Sequence, residues 1–334
     1  AASIYEAVGA ASADDVHAWA QAYLLTESWS RGRHLLEQYL RMKPGDPEAS
    51  YELATCTARL GNLDEAVEAA RQYAALPGCN VEGALLEAIF HVDRGDSASA
   101  ADAFARVLAL SPEATGLQLP PEDIFLQYGN ALLDQGQAAE AVGLFERSIA
   151  LRPSGEAAFR LGRALAQAGK PEAAAAAWRM AIEIQPQSVS SREALADAAL
   201  AEGNLEAAAD WLASLEPVAN ERAETAYLFQ RLAAARDDTE GFARWKEIAD
   251  AARARQQRQS QINQFIVAAP TDPWAIAVRA HRFASSGNWQ QAADLLEGLP
   301  PSFKQEPFVH DLDAAVRDRS SSLPSLDLVP VNEP

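Results

Sequence analysis

Apolar residues recur along the chain at intervals of three and four residues, in paired stretches separated by a short polar phrase. This spacing places the apolar side chains on one face of a helix, so each stretch is predicted to be an amphipathic helix. Between residues 128 and 153, YGNALLDQGQAAEAVGLFERSIALRP, the phrase GQAAEA lies between two such stretches. The pattern therefore predicts a helix, a turn and a second helix.

The polar phrase returns at intervals of 34, 41, 33, 34 and 84 residues. The interval of 41 contains seven extra residues, assigned to TGLQLPP (115–121), and the interval of 84 contains a degenerate copy near 236–248. The leading glycine suits the left-handed residue after a helix, and proline follows most second helices because it cannot continue them. The sequence thus predicts helical hairpins of about 34 residues. The phrases are GNLDEA at 61, GDSASA at 95, GQAAEA at 136, GKPEAA at 169, GNLEAA at 203 and GNWQQA at 287.

Small residues occupy the eighth and twentieth places of seven of the eight units, and large apolar residues fill most twenty-fourth places. This pattern resembles the tetratricopeptide repeat (TPR) family. The resemblance implies an all-α fold, a right-handed superhelical α-solenoid of about eight helix-turn-helix hairpins with a C-terminal capping helix. The small residues are Ala20, Ala54, Ala88, Gly129, Gly162, Ala196 and Ala280 at the eighth place and Gly32, Ala66, Ala100, Ala141, Ala174, Ala208 and Ala292 at the twentieth; the large ones are Leu36, Phe104, Phe145, Trp178, Leu212 and Leu296.

The repeats predict one solenoid over residues 1–318, followed by a disordered tail or linker at 319–334, which is rich in serine and proline. The seventh copy is the least regular. Residues 249–266 are expected to lengthen its second helix, either as a solvated spacer or as a docking site for an acidic partner. The predicted copies are 13–46, 47–80, 81–114, 122–154, 155–188, 189–221, 222–248 extended to 266, and 273–300, with the capping helix at 307–318.

The chain has 334 residues and a formal net charge of −19. A charge of this sign repels phosphate backbones and anionic lipid, so neither nucleic-acid binding nor direct membrane contact is expected. No apolar run approaches the roughly 20 residues that span a bilayer. Cys56 and Cys79 have neither disulfide-framework nor zinc-site spacing, and we expect two buried thiols.

No catalytic constellation is apparent in the sequence, and we expect neither enzymatic activity, nor a cofactor, nor a metal. The segment GRALAQAGKPE (162–172) contains Gly-Lys, as a phosphate-binding loop does. Its two glycines are spaced differently from those of a phosphate-binding loop, and proline stands where such a loop has Ser or Thr. The five histidines lack metal-ligand spacing. His91 is expected to pack in a helix interface, whereas His17 and His281 are expected to face the groove at opposite ends of the array.

The resemblance also implies that the first helices of the hairpins line a concave groove that holds a partner peptide. The residues mapped to this groove are mostly acidic, with apolar patches around Leu85/Ile89 and Leu126/Phe159. They predict a basic partner segment with an apolar anchor, unless the acids serve only solubility. The groove residues are Glu82, Leu85, Ile89, Asp93, Asp123, Leu126, Asn130, Asp134, Glu156, Phe159, Arg163, Glu193 and Asp197.

The function expected from these observations is a non-catalytic scaffold that binds a protein or peptide partner. The alternative is a regulatory or targeting TPR module of a larger multidomain enzyme or membrane-anchored protein, an alternative that the missing initiator methionine keeps open. Self-association through the ends of the array is a further alternative. The sequence leaves the compartment open between cytoplasm and periplasm.

Overall fold

A computed structural model describes residues 12–269 and 271–330 of the chain, and the regular elements of this part are all helical. The chain divides into two compact units, Ala1–Ala198 and Ala199–Pro334, and the division falls inside one helix. The predicted all-α architecture of hairpins is confirmed, and each unit is described by itself below.

Unit 1 is built from five consecutive hairpins and the helix that follows them. The two helices of each hairpin pack against each other, and in the first four hairpins the second helix also packs against the first helix of the next hairpin. This continuous nearest-neighbour packing is the defining property of a repeat array. The helices are α1 (Ala13–Leu24), α2 (Trp29–Met42), α3 (Pro47–Arg59), α4 (Leu63–Ala74), α5 (Asn80–Asp93), α6 (Ser97–Leu110), α7 (Pro121–Asp134), α8 (Ala138–Leu151), α9 (Gly155–Gln167), α10 (Pro171–Ile184) and α11 (Val189–Ala201), which contains the division.

Unit 2 continues the helical pattern with less regular lengths. The helix Thr239–Ala268, the second of its hairpin, is 30 residues long and includes the whole predicted extension at 249–266. Ala252 and Ile262, both within this extension, are buried, so one face of the extension packs within the unit. The helices are α12 (Leu205–Ala213), α13 (Ala223–Ala235), α14 (Thr239–Ala268), α15 (Pro273–Ser285), α16 (Trp289–Glu297) and α17 (Pro307–Asp318).

The glycine that opens each polar phrase ends the preceding helix in the predicted left-handed conformation. Gly136 has a φ of 77°, and the N–H of the following Gln137 donates to the carbonyl of Leu132 at 2.9 Å. This is the Schellman arrangement, which satisfies the last carbonyls of the helix. All six phrase glycines have positive φ, whereas the first copy has Glu27, with φ of 55°, at this place.

The predicted small and large residues meet where the two helices of a hairpin cross. A Cβ added to Gly129 would lie 2.7 Å from Cε1 of Phe145, and one added to Gly162 would lie 2.8 Å from Cε2 of Trp178. The aromatic ring of the second helix therefore lies directly on the backbone of the first. The small residues predicted to mark these crossings are all buried, which confirms their expected role.

The tail at 319–334 was expected to be disordered, but residues 319–330, the part that the structure describes, pack against unit 2. Val329 is fully buried, and Leu323 and Leu326 pack against the core cluster of α15–α17. The serine and proline content suggested disorder, but three apolar side chains supply enough burial to hold the segment. Residues 331–334 lie outside the described part.

We predict that Gly162→Ala destabilises the chain by about 1–3 kcal/mol, because the new methyl overlaps the buried Trp178 ring. Chemical denaturation measures the change. The matched control is Gly143→Ala in α8, where a Cβ meets nothing within 4 Å. That change should stabilise the helix by about 0.5–1 kcal/mol. Equal effects at the two positions would contradict the packing described for the crossing.

We predict that Glu27→Gly stabilises the chain by about 0.5–1 kcal/mol, because glycine adopts the left-handed backbone without the Cβ penalty. Thermal unfolding measures the gain. Gly61→Ala is the converse control: its φ is 83° and no atom lies within 4 Å of the added Cβ, so any loss there comes from the backbone alone. A destabilised Glu27→Gly variant would show that the Glu27 side chain matters more than its conformation.

Candidate functional site

A pocket of about 510 Å³ lies between α3 and α5 of unit 1. Four of the predicted groove residues line it, all from α5, and Tyr51 and Arg59 of α3 form the facing side. Because a helix places residues three and four apart on one face, α5 presents these four side chains together. They are Glu82, Leu85, Ile89 and Asp93.

Two of the seven extra residues between the third and fourth hairpins also contribute to this pocket. Gln118 and Leu119 line it. The Tyr51 hydroxyl donates a hydrogen bond to Oε1 of Gln118, and the Gln118 N–H donates to Oε1 of Glu82 at 3.4 Å. The sequence located the insertion but gave no sign that it turns back over the groove.

Glu82 is a half-buried carboxylate that lines the pocket. Burial raises its pKa, and the hydrogen bond from the Gln118 N–H opposes that shift. Burial likewise raises the pKa of Tyr51, with the Glu82 charge adding to it. Within the described residues Glu82 forms no ion pair, so its charge is desolvated without a compensating cation.

Two of the predicted apolar contacts are wrong as exposed patches. Leu85 has no exposed surface and Leu126 is only 9% exposed, so both serve mainly as core residues. Ile89 and Phe159 are partly exposed and are the accessible apolar side chains of the predicted set. The apolar periodicity could not distinguish a buried residue from a groove-facing one here, because residues four apart, such as Leu85 and Ile89, lie on the same face of a helix.

The other nine predicted groove residues do not line this pocket. Asp123 is paired with Arg152, Glu156 lies 3.8 Å from Arg160, and Oγ of Ser97 is 3.4 Å from Asp134. The Oδ1 atom of Asn130 is buried and has no hydrogen-bond partner among the described residues. The remaining members are distributed along α7, α9 and α11: Leu126, Phe159 and Arg163 on the first two, and Glu193 and Asp197 on the last.

The first two hairpins carry a groove surface whose acids already have partners. Nε2 of His17 lies 2.7 Å from Glu52, and the Gln21 amide donates to the same carboxylate at 2.8 Å and to Glu48 at 3.2 Å. The His17 ring also stacks on Tyr39 at a centroid distance of 4.6 Å. His17 therefore orders neighbouring side chains here, and Glu48 and Glu52 already accept hydrogen bonds within the chain.

A buried ionic network lies on the opposite side of α5. Glu87 is 4% exposed and accepts hydrogen bonds from Nε of Arg71 at 2.9 Å and from Arg106. His91 lies 3.5 Å from the same carboxylate and is 2% exposed, so it packs as predicted but among charges. Burial alone would raise the pKa of Glu87, but the hydrogen bonds from Arg106 and Arg71 outweigh it and lower the pKa.

The described residues contain no group of three or more His, Cys, Asp or Glu side chains arranged to hold a metal. Cys56 and Cys79 are buried free thiols. Among the helices of the described part, none is both long and apolar enough to cross a membrane.

The family model described as "Tetratricopeptide repeat" matches residues 17–78 and 126–189. Similar solved structures include that of the MamA protein, with 16% identity and a TM-score of 0.47 over 52% of this chain and 92% of that chain. Another is YrrB, described as a TPR protein with an unusual peptide-binding site, with 17% identity and a TM-score of 0.48 over 57% and 97% of the two chains. No curated protein matches this chain.

We predict that Glu87→Gln destabilises the chain by about 1–3 kcal/mol at pH 7, because Arg71 and Arg106 lose their shared counter-charge. Urea denaturation measures the loss. Since the folded pKa of Glu87 is lowered, its contribution is present above the ordinary carboxyl pKa of about 4.3 and disappears as the pH falls through the folded value.

The stability difference between the wild type and Glu87→Gln should therefore shrink as the pH falls below about 4. The control is Glu68→Gln on α4, an exposed acid whose removal should change stability by less than about 0.5 kcal/mol. A difference that stays constant with pH would show that Glu87 acts through its shape and not its charge.

Proposed function

We propose that this chain, which belongs to the tetratricopeptide-repeat family, is a non-catalytic scaffold that binds a basic partner segment in the groove of unit 1. The observation that carries the proposal is the half-buried Glu82 carboxylate, which lines a pocket of mixed polar and apolar residues and pairs with no cation of the described residues. A Lys or Arg side chain of a partner would supply the missing charge.

Desolvation explains why such a cation would be favoured. The raised pKa of Glu82 reflects the cost of holding its negative charge in a partly buried place. A partner ammonium or guanidinium group restores the lost interaction at short range and forms a charge-assisted hydrogen bond. The net charge of −19 would also steer a basic segment toward this surface.

An apolar anchor would contribute the second part of the recognition. Ile89 borders the pocket and remains partly accessible, and Phe159 offers a second accessible apolar side chain on α9. Buried apolar anchors usually dominate the binding energy of a peptide, while charges give specificity and association rate. The favoured ligand is therefore a segment with a basic residue beside a branched or aromatic one.

The buried carboxylate-imidazole pair supports a non-catalytic role. Glu87 and His91 lie 3.5 Å apart as a carboxylate-imidazole pair, and both are buried. Arg71 and Arg106 occupy the carboxylate of Glu87. A general base needs hydrogen-bond access to its substrate, which these groups lack.

We predict that peptides selected on the intact chain from a random library carry Lys or Arg beside Leu, Ile or Phe. Glu82→Gln should weaken binding of a selected peptide by about tenfold, since a charge-assisted hydrogen bond becomes a neutral one. Fluorescence anisotropy measures the affinity. Added salt should weaken binding to the wild type more than to the variant.

Glu68→Gln is the matched control, because it removes an equal charge from an exposed position on α4 and away from the pocket. Its affinity for the selected peptide should equal that of the wild type. Selection of acidic peptides, or equal binding by Glu82→Gln and the wild type, would show that the groove acids serve solubility only.

A further inference from the structure

Residues 320–330, SSSLPSLDLVP, form a docked segment on the surface of unit 2. Leu323, Leu326 and Val329 point inward and contact the core cluster that contains Ile262, while the residues between them are mostly exposed. Leu328, for example, is 58% exposed. The inward positions follow a period of three, which matches neither an α-helix nor a strand.

Two side chains of unit 2 hold the backbone of the docked segment. Arg258 of α14 donates hydrogen bonds to the carbonyls of Asp327, at 3.2 Å, and Val329. Nε2 of His281, on α15, donates to the Pro324 carbonyl at 3.1 Å. Because these hydrogen bonds go to backbone carbonyls, they do not depend on the side chains of the bound segment. Selectivity would therefore come from the three positions with apolar side chains.

The docked segment leaves part of this surface unsatisfied. Nε of Arg258 and Nδ1 of His281 are buried and have no hydrogen-bond partner among the described residues. Burial also lowers the pKa of His281, with the Pro324 carbonyl opposing and Arg282 adding to the shift. The docked segment is therefore an imperfect occupant, and a ligand that offers an acceptor to Arg258 and a donor to His281 would complete the hydrogen bonding.

We propose that this surface of unit 2 is a second peptide-binding site, and that residues 320–330 are its intrachain occupant. Its ligand class is a segment with apolar side chains at every third position, of the form Leu-x-x-Leu-x-x-Val, which includes a 3-10 turn like that at Leu326–Leu328. A partner segment of this class binds by displacing the docked segment. The site differs from the Glu82 pocket in chemistry, since the contacts to its occupant come from cationic and neutral groups.

The test uses the full chain and a labelled peptide with the sequence SSSLPSLDLVP. Val329→Asp places a charge in the fully buried anchor position and should release the docked segment from its site. The released variant should bind the labelled peptide at least tenfold more tightly than the wild type, whose site is occupied. A permuted peptide of the same composition, in which the apolar residues no longer fall at every third position, should not bind.

A second change tests the site residues themselves. Arg258→Ala in the Val329→Asp background should reduce peptide binding at least fivefold, whereas Arg253→Ala, on the same helix and paired with Asp250, should not. Circular dichroism and thermal melting check that each variant is folded.

Three outcomes would overturn the proposal. A folded Val329→Asp variant that binds no peptide, or a wild-type chain that binds it as tightly as the variant, would show that the surface has no exchangeable occupant. Loss of helical circular dichroism in both Val329→Asp and the milder Val329→Ser would show that the segment is part of the core and not a ligand.

Discussion

The close approach of two helix backbones inside each hairpin is the constraint on which the structure depends. At Gly129 and Gly162 the second helix places an aromatic ring where a side chain of the first helix would otherwise be. Elsewhere alanine serves the same purpose with a single methyl group. With the crossing fixed in this way, the remaining apolar residues of each helix are directed toward the neighbouring hairpin, and packing continues from one hairpin to the next.

This constraint determines which surfaces are available for recognition. Positions that face the crossing or the next hairpin are occupied, so the places left for recognition lie on the outer faces of the helices. In unit 1 these places form a pocket that Gln118 and Leu119 of the insertion also line, and the Glu82 carboxylate in it forms no ion pair with the described residues. In unit 2 the corresponding chemistry is different, because Arg258 and His281 face a segment of the chain itself.

The hairpins and their crossings could be predicted from the sequence, because both follow from a local pattern repeated in phase. The glycine turns belong to the same class: Gly136 and its equivalents adopt the expected conformation. The details of the site were less accessible. Leu85 and Leu126 were expected to be exposed, but their burial depends on neighbours that are distant in sequence. The serine and proline content of the C-terminal segment indicated disorder, whereas the apolar residues at every third position of LPSLDLV indicated a packed face.

The Glu87 network bears on how such an array can be lengthened or shortened. Its carboxylate belongs to the third hairpin but depends on Arg71 from the second as well as Arg106 from its own. A duplication or excision that separated α4 from α5 would remove Arg71 from this buried carboxylate. The second and third hairpins are therefore coupled by charge, and we expect the array to accept an added or removed hairpin more readily at junctions that are held mainly by apolar side chains.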